Sequence, residues 1–152
     1  MAIHNNVCQK AEAAIVALLK TKDLGSIPVA NVFAGMSLGV NEDPTAEQDT
    51  NPLPRVTVHA DGGEESIPNT GNFGVQITVN VESNADDDNG LHTEDAGAVF
   101  DHIVTDSFAE DIATADFTCL GVVFGSLSSG RDGRKWRSTL SLTAHCCGSS
   151  LT

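Results

Sequence analysis

Four cations stand within seven residues near the C-terminal end of this chain: Arg131, Arg134, Lys135 and Arg137, in the stretch "GRDGRKWR". They are half of the eight basic residues in a protein with 21 acidic ones and a net charge of −13. Clustered cations have two common uses: they hold phosphate, or they pair with carboxylates on another surface. The charge balance argues against a general nucleic-acid surface, because phosphate affinity comes mainly from neutralising cations. A phosphate loop is missing as well. "GSLSSGRDG" lacks the lysine–serine ending and leads into a strand, not a helix.

Other residue types with chemical potential are scattered. The acidic run Asp86-Asp87-Asp88-Asn89-Gly90 invites a calcium loop, yet anchoring Gly90 at position six puts Ala85 at position one and Ala96 at position twelve. Both ligand positions fail, which leaves a solvated turn before a helix, or at most an adventitious ion. Histidines at 4, 59, 92, 102 and 145 show no metal-ligand spacing. His102 is expected to pair with Asp106, four residues on along a helix. His59 and His145 fall on the polar faces of strands.

Cys8, Cys119, Cys146 and Cys147 form no spaced framework, and no Asn-x-Ser/Thr acceptor occurs. Reduced thiols in a reducing compartment are therefore expected. A zinc set of His145, Cys146, Cys147 and Cys8 lacks the paired spacing of real sites. No nucleophile elbow or dinucleotide fingerprint appears. The chain is expected not to be an enzyme, and to need no cofactor and no metal.

The elements that must position the basic cluster follow from periodicity. "NNVCQKAEAAIVALLKTK" sets Val7, Ala11, Ala14, Ile15, Leu18 and Leu19 at helical spacing, with Gly25 after its end. "IPVANVF" is β-prone, and the region 34–54 reads as a long loop rich in Gly, Pro and acid. "RVTVHA" alternates, and "DGGEESIPNTGN" reads as a turn. "FGVQITVNVE" then points Phe73, Val75, Ile77, Val79 and Val81 one way and Gly74, Gln76, Thr78, Asn80 and Glu82 the other. Such strict alternation requires a sheet with one buried and one wet face.

A second helix is expected from about Thr93 to Ala113, burying Ala96, Val99, Phe100, Ile103, Val104, Phe108 and Ile112. A terminal hairpin follows: "FTCLGVVFGSL" up, "SSGRDG" turning, "RKWRSTLSLTAHC" back, with Trp136, Ser138, Leu140, Leu142 and Ala144 on one face. The order α-β-β-β-α-β-β makes an α+β fold: a mainly antiparallel sheet of four to five strands with two helices on one face, in one domain over 1–152. No segment reaches the roughly 18 apolar residues of a membrane span.

This arrangement puts the cations at the tip of the hairpin, while residues 42–116 hold 18 of the 21 acids and one base, Arg55. Charged edge residues discourage stray strand pairing, which is one account of the cluster. The other is docking: a positive tip on one copy meets the acidic body of the next, head to tail, closing a ring.

The order of elements, with "PRVTVHA … FGVQITVNVES", the acid-led helix "DAGAVFDHIVTDSF" and the closing strand "WRSTLSLTAH", resembles the tail terminator proteins of tailed bacteriophages, over roughly residues 5–145. The resemblance implies a hexameric ring that caps the tail tube, stops its growth and joins it to the head, within the virion. It implies tail-tube and connector proteins as partners, no enzymatic activity, and DNA that passes through the lumen unbound. A strongly acidic wall suits that passage, since it repels phosphate. Other neck components, such as a head-completion, connector or tail-tube protein, fit the same layout. A small cytosolic protein using Asp86–Asp88 to bind an ion is the remaining alternative.

Overall fold

The computed structural model describes residues 3–34, 53–67, 72–84, 89–113, 117–132 and 135–148. The long loop expected at 34–54 falls mostly outside them, as do Asp86–Asp88 and Arg134. The first helix, α1 (Ile3–Leu19), forms as its alanine-rich stripe predicts and buries Ala11, Ala14, Ile15 and Leu19. Glu12 interrupts that stripe. It is buried because its carboxylate accepts the Ala60 amide of the sheet at 2.8 Å. After α1 the chain turns at Gly25, whose φ of 69° suits a residue without Cβ. A Cβ there would also stand 2.5 Å from Asp95 Oδ1.

Five strands follow in the spatial order β1-β2-β3-β5-β4: β1 (Val32–Ala34), β2 (Arg55–Ile67), β3 (Asn72–Asn84), β4 (Phe117–Asp132) and β5 (Lys135–Gly148). The architecture is α+β, as expected, with a mixed sheet: β1 runs parallel to β2 and every other pair is antiparallel. Only Val32–Ala34 of the β-prone "IPVANVF" is strand, since the segment after Pro28 makes a single 3-10 turn at Val29–Asn31. The expected turn "DGGEES" is strand as well. β2 continues through it to Ile67, carried by pairing with β3 and by a register shift between Ala60 and Gly62.

The inward rows match the alternation read from the sequence. Val56, Val81 and Ser138 align across the sheet, then Val58, Val79 and Leu140, then Ala60, Ile77 and Leu142. All nine are buried, and all but Ser138 join α1 in one apolar cluster. Each aliphatic side chain so buried contributes about 1.5–3 kcal/mol. The outward face is a polar ladder, in which Thr139 donates to Asn80 and Thr143 to Gln76.

The second helix differs from its expected range of 93–113. α2 spans Asn89–Asp101, and a separate turn of helix, α3 (Phe108–Asp111), follows after a break. The break moves Val104 out to 52% exposure rather than into the core, while Ile103, Phe108 and Ile112 stay buried. It also turns His102 away from the expected Asp106 partner: its Nε2 meets the backbone carbonyl of Asp23 at 2.9 Å. Phe108 docks α3 onto the sheet against Phe124, with ring centroids 6.5 Å apart.

Candidate functional site

β4 ends the sheet, and β5 is its only strand neighbour among the described residues. It is sixteen residues long, and its flank carries Leu120, Val123 and Leu127 at 61–64% exposure. Such a strand combines open backbone amides and carbonyls with apolar side chains, which is the chemistry of pairing with another chain. Two grooves lie on its helix side. One, of about 370 Å³, opens between α2 and the hairpin, lined by Ala96, Phe100, Leu127 and Trp136. The other, of about 560 Å³, lies between α3 and β4, with Phe108 and Leu120 on its walls and Asp106 and Glu110 beside them.

The basic cluster sits at one end of this edge, but its members do different things. Arg131 is exposed and stands directly across from Trp136, with its guanidinium carbon 5.9 Å from the indole centroid. That stacking keeps the cation at the surface and shields one face of a tryptophan that is only half-buried. Trp136 faces inward as its alternation predicts, yet it lies at the end of the sheet and forms a groove wall instead of core.

Arg137 and Lys135 reach the other face. The row Arg55–Glu82–Arg137 runs in register over β2, β3 and β5. Arg55 donates Nε and Nη2 to Glu82 Oε1 at 3.0 and 2.9 Å, and Arg137 donates Nε and Nη2 to Oε2 at 3.2 and 2.8 Å. Lys135 Nζ stands 3.7 Å from the same Oε2. Burial disfavours the charged carboxylate. The Arg137 hydrogen bonds and the nearby Arg55 charge outweigh that cost and hold the Glu82 carboxyl below its ordinary range. Lys135 and Arg137 are thus engaged within the subunit, and Arg131 is the most outward of the three described cations.

A second polar set lies on the inward face and was not legible in the spacing of the histidines. His92 of α2 is buried, with Nδ1 2.9 Å from Ser83 Oγ and Nε2 2.9 Å from Ser138 Oγ. Ser138 in turn meets Ser129 Oγ at 2.7 Å, so one imidazole ties α2 to β3, β5 and β4. Burial lowers the His92 pKa, while the Asp95 charge acts in the opposite sense. The neutral ring supplies one donor and one acceptor, and a serine hydroxyl can answer either. Asp95, also buried, accepts the amide and hydroxyl of Ser26 and so fixes the turn after α1 to α2. The signal available in advance was Ser83 and Ser138 standing on otherwise apolar inward rows.

These polar groups are structural in their geometry. No buried side-chain nitrogen or oxygen among the described residues lacks a hydrogen-bond partner, and no cluster of His, Cys, Asp or Glu among them could hold a metal. No helix among the described residues is long and apolar enough to cross a membrane. Among the described residues, Cys8, Cys119 and Cys146 form no disulfide. The arrangement offers binding through an edge, two grooves and a charged tip.

No family model matches the sequence, and no curated protein matches it. A solved structure does match in fold: a chain described as "Virion of native gene transfer agent (GTA) particle", with a TM-score of 0.58 and 16% identity. The alignment covers 89% of this chain and 92% of that one.

Proposed function

We propose that this chain is a structural protein of a tailed-phage-type particle and that it acts as a tail terminator, forming a ring that caps the tail tube and joins it to the head. The observation that carries this reading is the fold shared, over nearly the full length of both chains, with a component of a gene transfer agent virion. Two features of the chain support assembly as its mode of action. The β4 edge presents Leu120, Val123 and Leu127, and the charge is divided between a basic hairpin tip and the acidic α2–α3 segment, which exposes Glu94, Asp101, Asp106, Glu110 and Asp111. Opposite charges on different faces favour a head-to-tail contact, which closes when the rotation between copies allows. In such a ring the hexameric lumen passes DNA without binding it, because the net charge of −13 per subunit repels phosphate.

Electron microscopy of the purified protein, alone and with isolated tail tubes, tests the proposal. Rings, or caps on tube ends, are expected. A protein that stays monomeric and ignores tube ends, yet is found in purified particles, moves the assignment to another neck component such as a head-completion or connector protein. Its absence from particles by mass spectrometry overturns the structural reading itself.

The role of the basic tip is best tested at Arg131 and Arg134. Charge reversal there is expected to weaken association at low ionic strength while the subunit stays folded. Reversal at Arg137 or Lys135 is a different experiment, since it sets a carboxylate against buried Glu82.

A further inference from the structure

Cys119 and Cys146 are directly opposed in the antiparallel pairing of β4 with β5. Residues so placed have Cα atoms about 4.5–5.5 Å apart, inside the range that a disulfide spans. Both side chains belong to the inward rows and pack at the core, where the Cys119 thiol donates to the Gly121 carbonyl at 3.4 Å. Cys146 is fully buried, while Cys119 is partly exposed in the wall of the groove between α3 and β4. The pair therefore has one thiol that a small molecule can reach and one held behind it.

We infer that Cys119 and Cys146 are a modification site, a dithiol that closes to a cross-strand disulfide when it meets a low-molecular-weight disulfide such as oxidised glutathione. Cys119 is the entry point, since it lines the groove while Cys146 is fully buried, and the nearby Cys146 thiol holds its own below the usual range although burial acts the other way. The Cys119 thiolate attacks one sulfur of the glutathione disulfide, forms a mixed disulfide and releases one glutathione. Cys146 then attacks the Cys119 sulfur, and the second glutathione leaves. Two protein thiols are oxidised to one disulfide, one glutathione disulfide is reduced to two thiols, and the two protein protons end on the released glutathiones. The product links the two hairpin strands where the β4 register shifts between Cys119 and Gly121. This inference does not depend on the ring proposal.

The test uses the purified full chain carrying Cys147→Ser, which removes the thiol next to Cys146 in sequence. Exposure to oxidised glutathione under native conditions is expected to remove two hydrogens from the intact mass, with peptide mapping that joins Cys119 to Cys146. The closed form should melt about 5–10 °C higher than the reduced form, an effect reversed by dithiothreitol. Cys146→Ala should retain a glutathione on Cys119, and Cys119→Ala should take up none at Cys146. The inference is overturned if no intramolecular link forms, if the link maps to Cys8, or if the closed form is no more stable than the reduced one.

Discussion

Replacing Glu82 with Gln keeps the shape of the side chain and removes the charge on which the Arg55 and Arg137 guanidinium groups converge. Arg55 and Glu82 are 5% and 4% exposed, so this is a buried pair, and breaking one from a single side costs about 3–5 kcal/mol. Unfolding entropy near 2.1 cal/mol/K per residue, over 152 residues, makes each kcal/mol worth about 3 °C, so the melting temperature should fall by about 9–15 °C. Urea denaturation and calorimetry of dilute protein at pH 7 measure the difference. The pH dependence checks its origin. The folded-state pKa of Glu82 lies below its unfolded value, so the charged carboxylate contributes its full stability above the usual carboxylate pKa. That contribution is lost as pH falls through the folded value, so the gap between wild type and Glu82→Gln should close below about pH 4. A gap under 1 kcal/mol at pH 7, or one that stays the same at pH 3, refutes the account.

His92→Ala should cost about 1–3 kcal/mol by taking the imidazole partner from buried Ser83 and leaving Ser138 with Ser129 alone, read by chemical denaturation. With the folded His92 pKa lowered, wild-type stability should fall as pH drops below about 6.5, and that part of the pH slope should disappear in the variant. Gly25→Ala combines a left-handed φ with a clash on Asp95 and should destabilise by about 1–2 kcal/mol or more, partly relieved by pairing it with Asp95→Ala in a double-mutant cycle. Leu120→Ser with Leu127→Ser should change stability by no more than about 0.5 kcal/mol each while lowering the apparent mass seen by light scattering after size exclusion.

The sheet was the most legible part of the sequence. Strict alternation names the buried rows from Val75 to Val81 in β3 and from Ser138 to Ala144 in β5, because a period of two leaves little freedom once one face is apolar. Local signals failed where a neighbour decided the outcome. "DGGEES" carries turn residues, yet β3 beside it extends the pairing to Ile67. The apolar spacing of residues 93–113 continues through the break before Phe108, because Ile103 and Phe108 face the core from either side of it. At the candidate site, the cations of the hairpin were readable as a cluster. Their division between Trp136 and Glu82 was not, since it depends on which face each one reaches. Glu82 itself sits on the polar row, and only its register with Arg55 and Arg137 explains its burial.

The open flank of β4 also sets how the isolated subunit must behave in solution. Leu120, Val123 and Leu127 stand on an edge with few charges of its own, so mutual repulsion between whole molecules keeps copies from sticking indiscriminately. That protection is colloidal, and it weakens as salt screens the molecules or as acid neutralises their carboxylates. Ionic strength and pH thus become controls over when copies meet, and low-salt, neutral buffer is the condition in which the subunit should keep longest as a dispersed species.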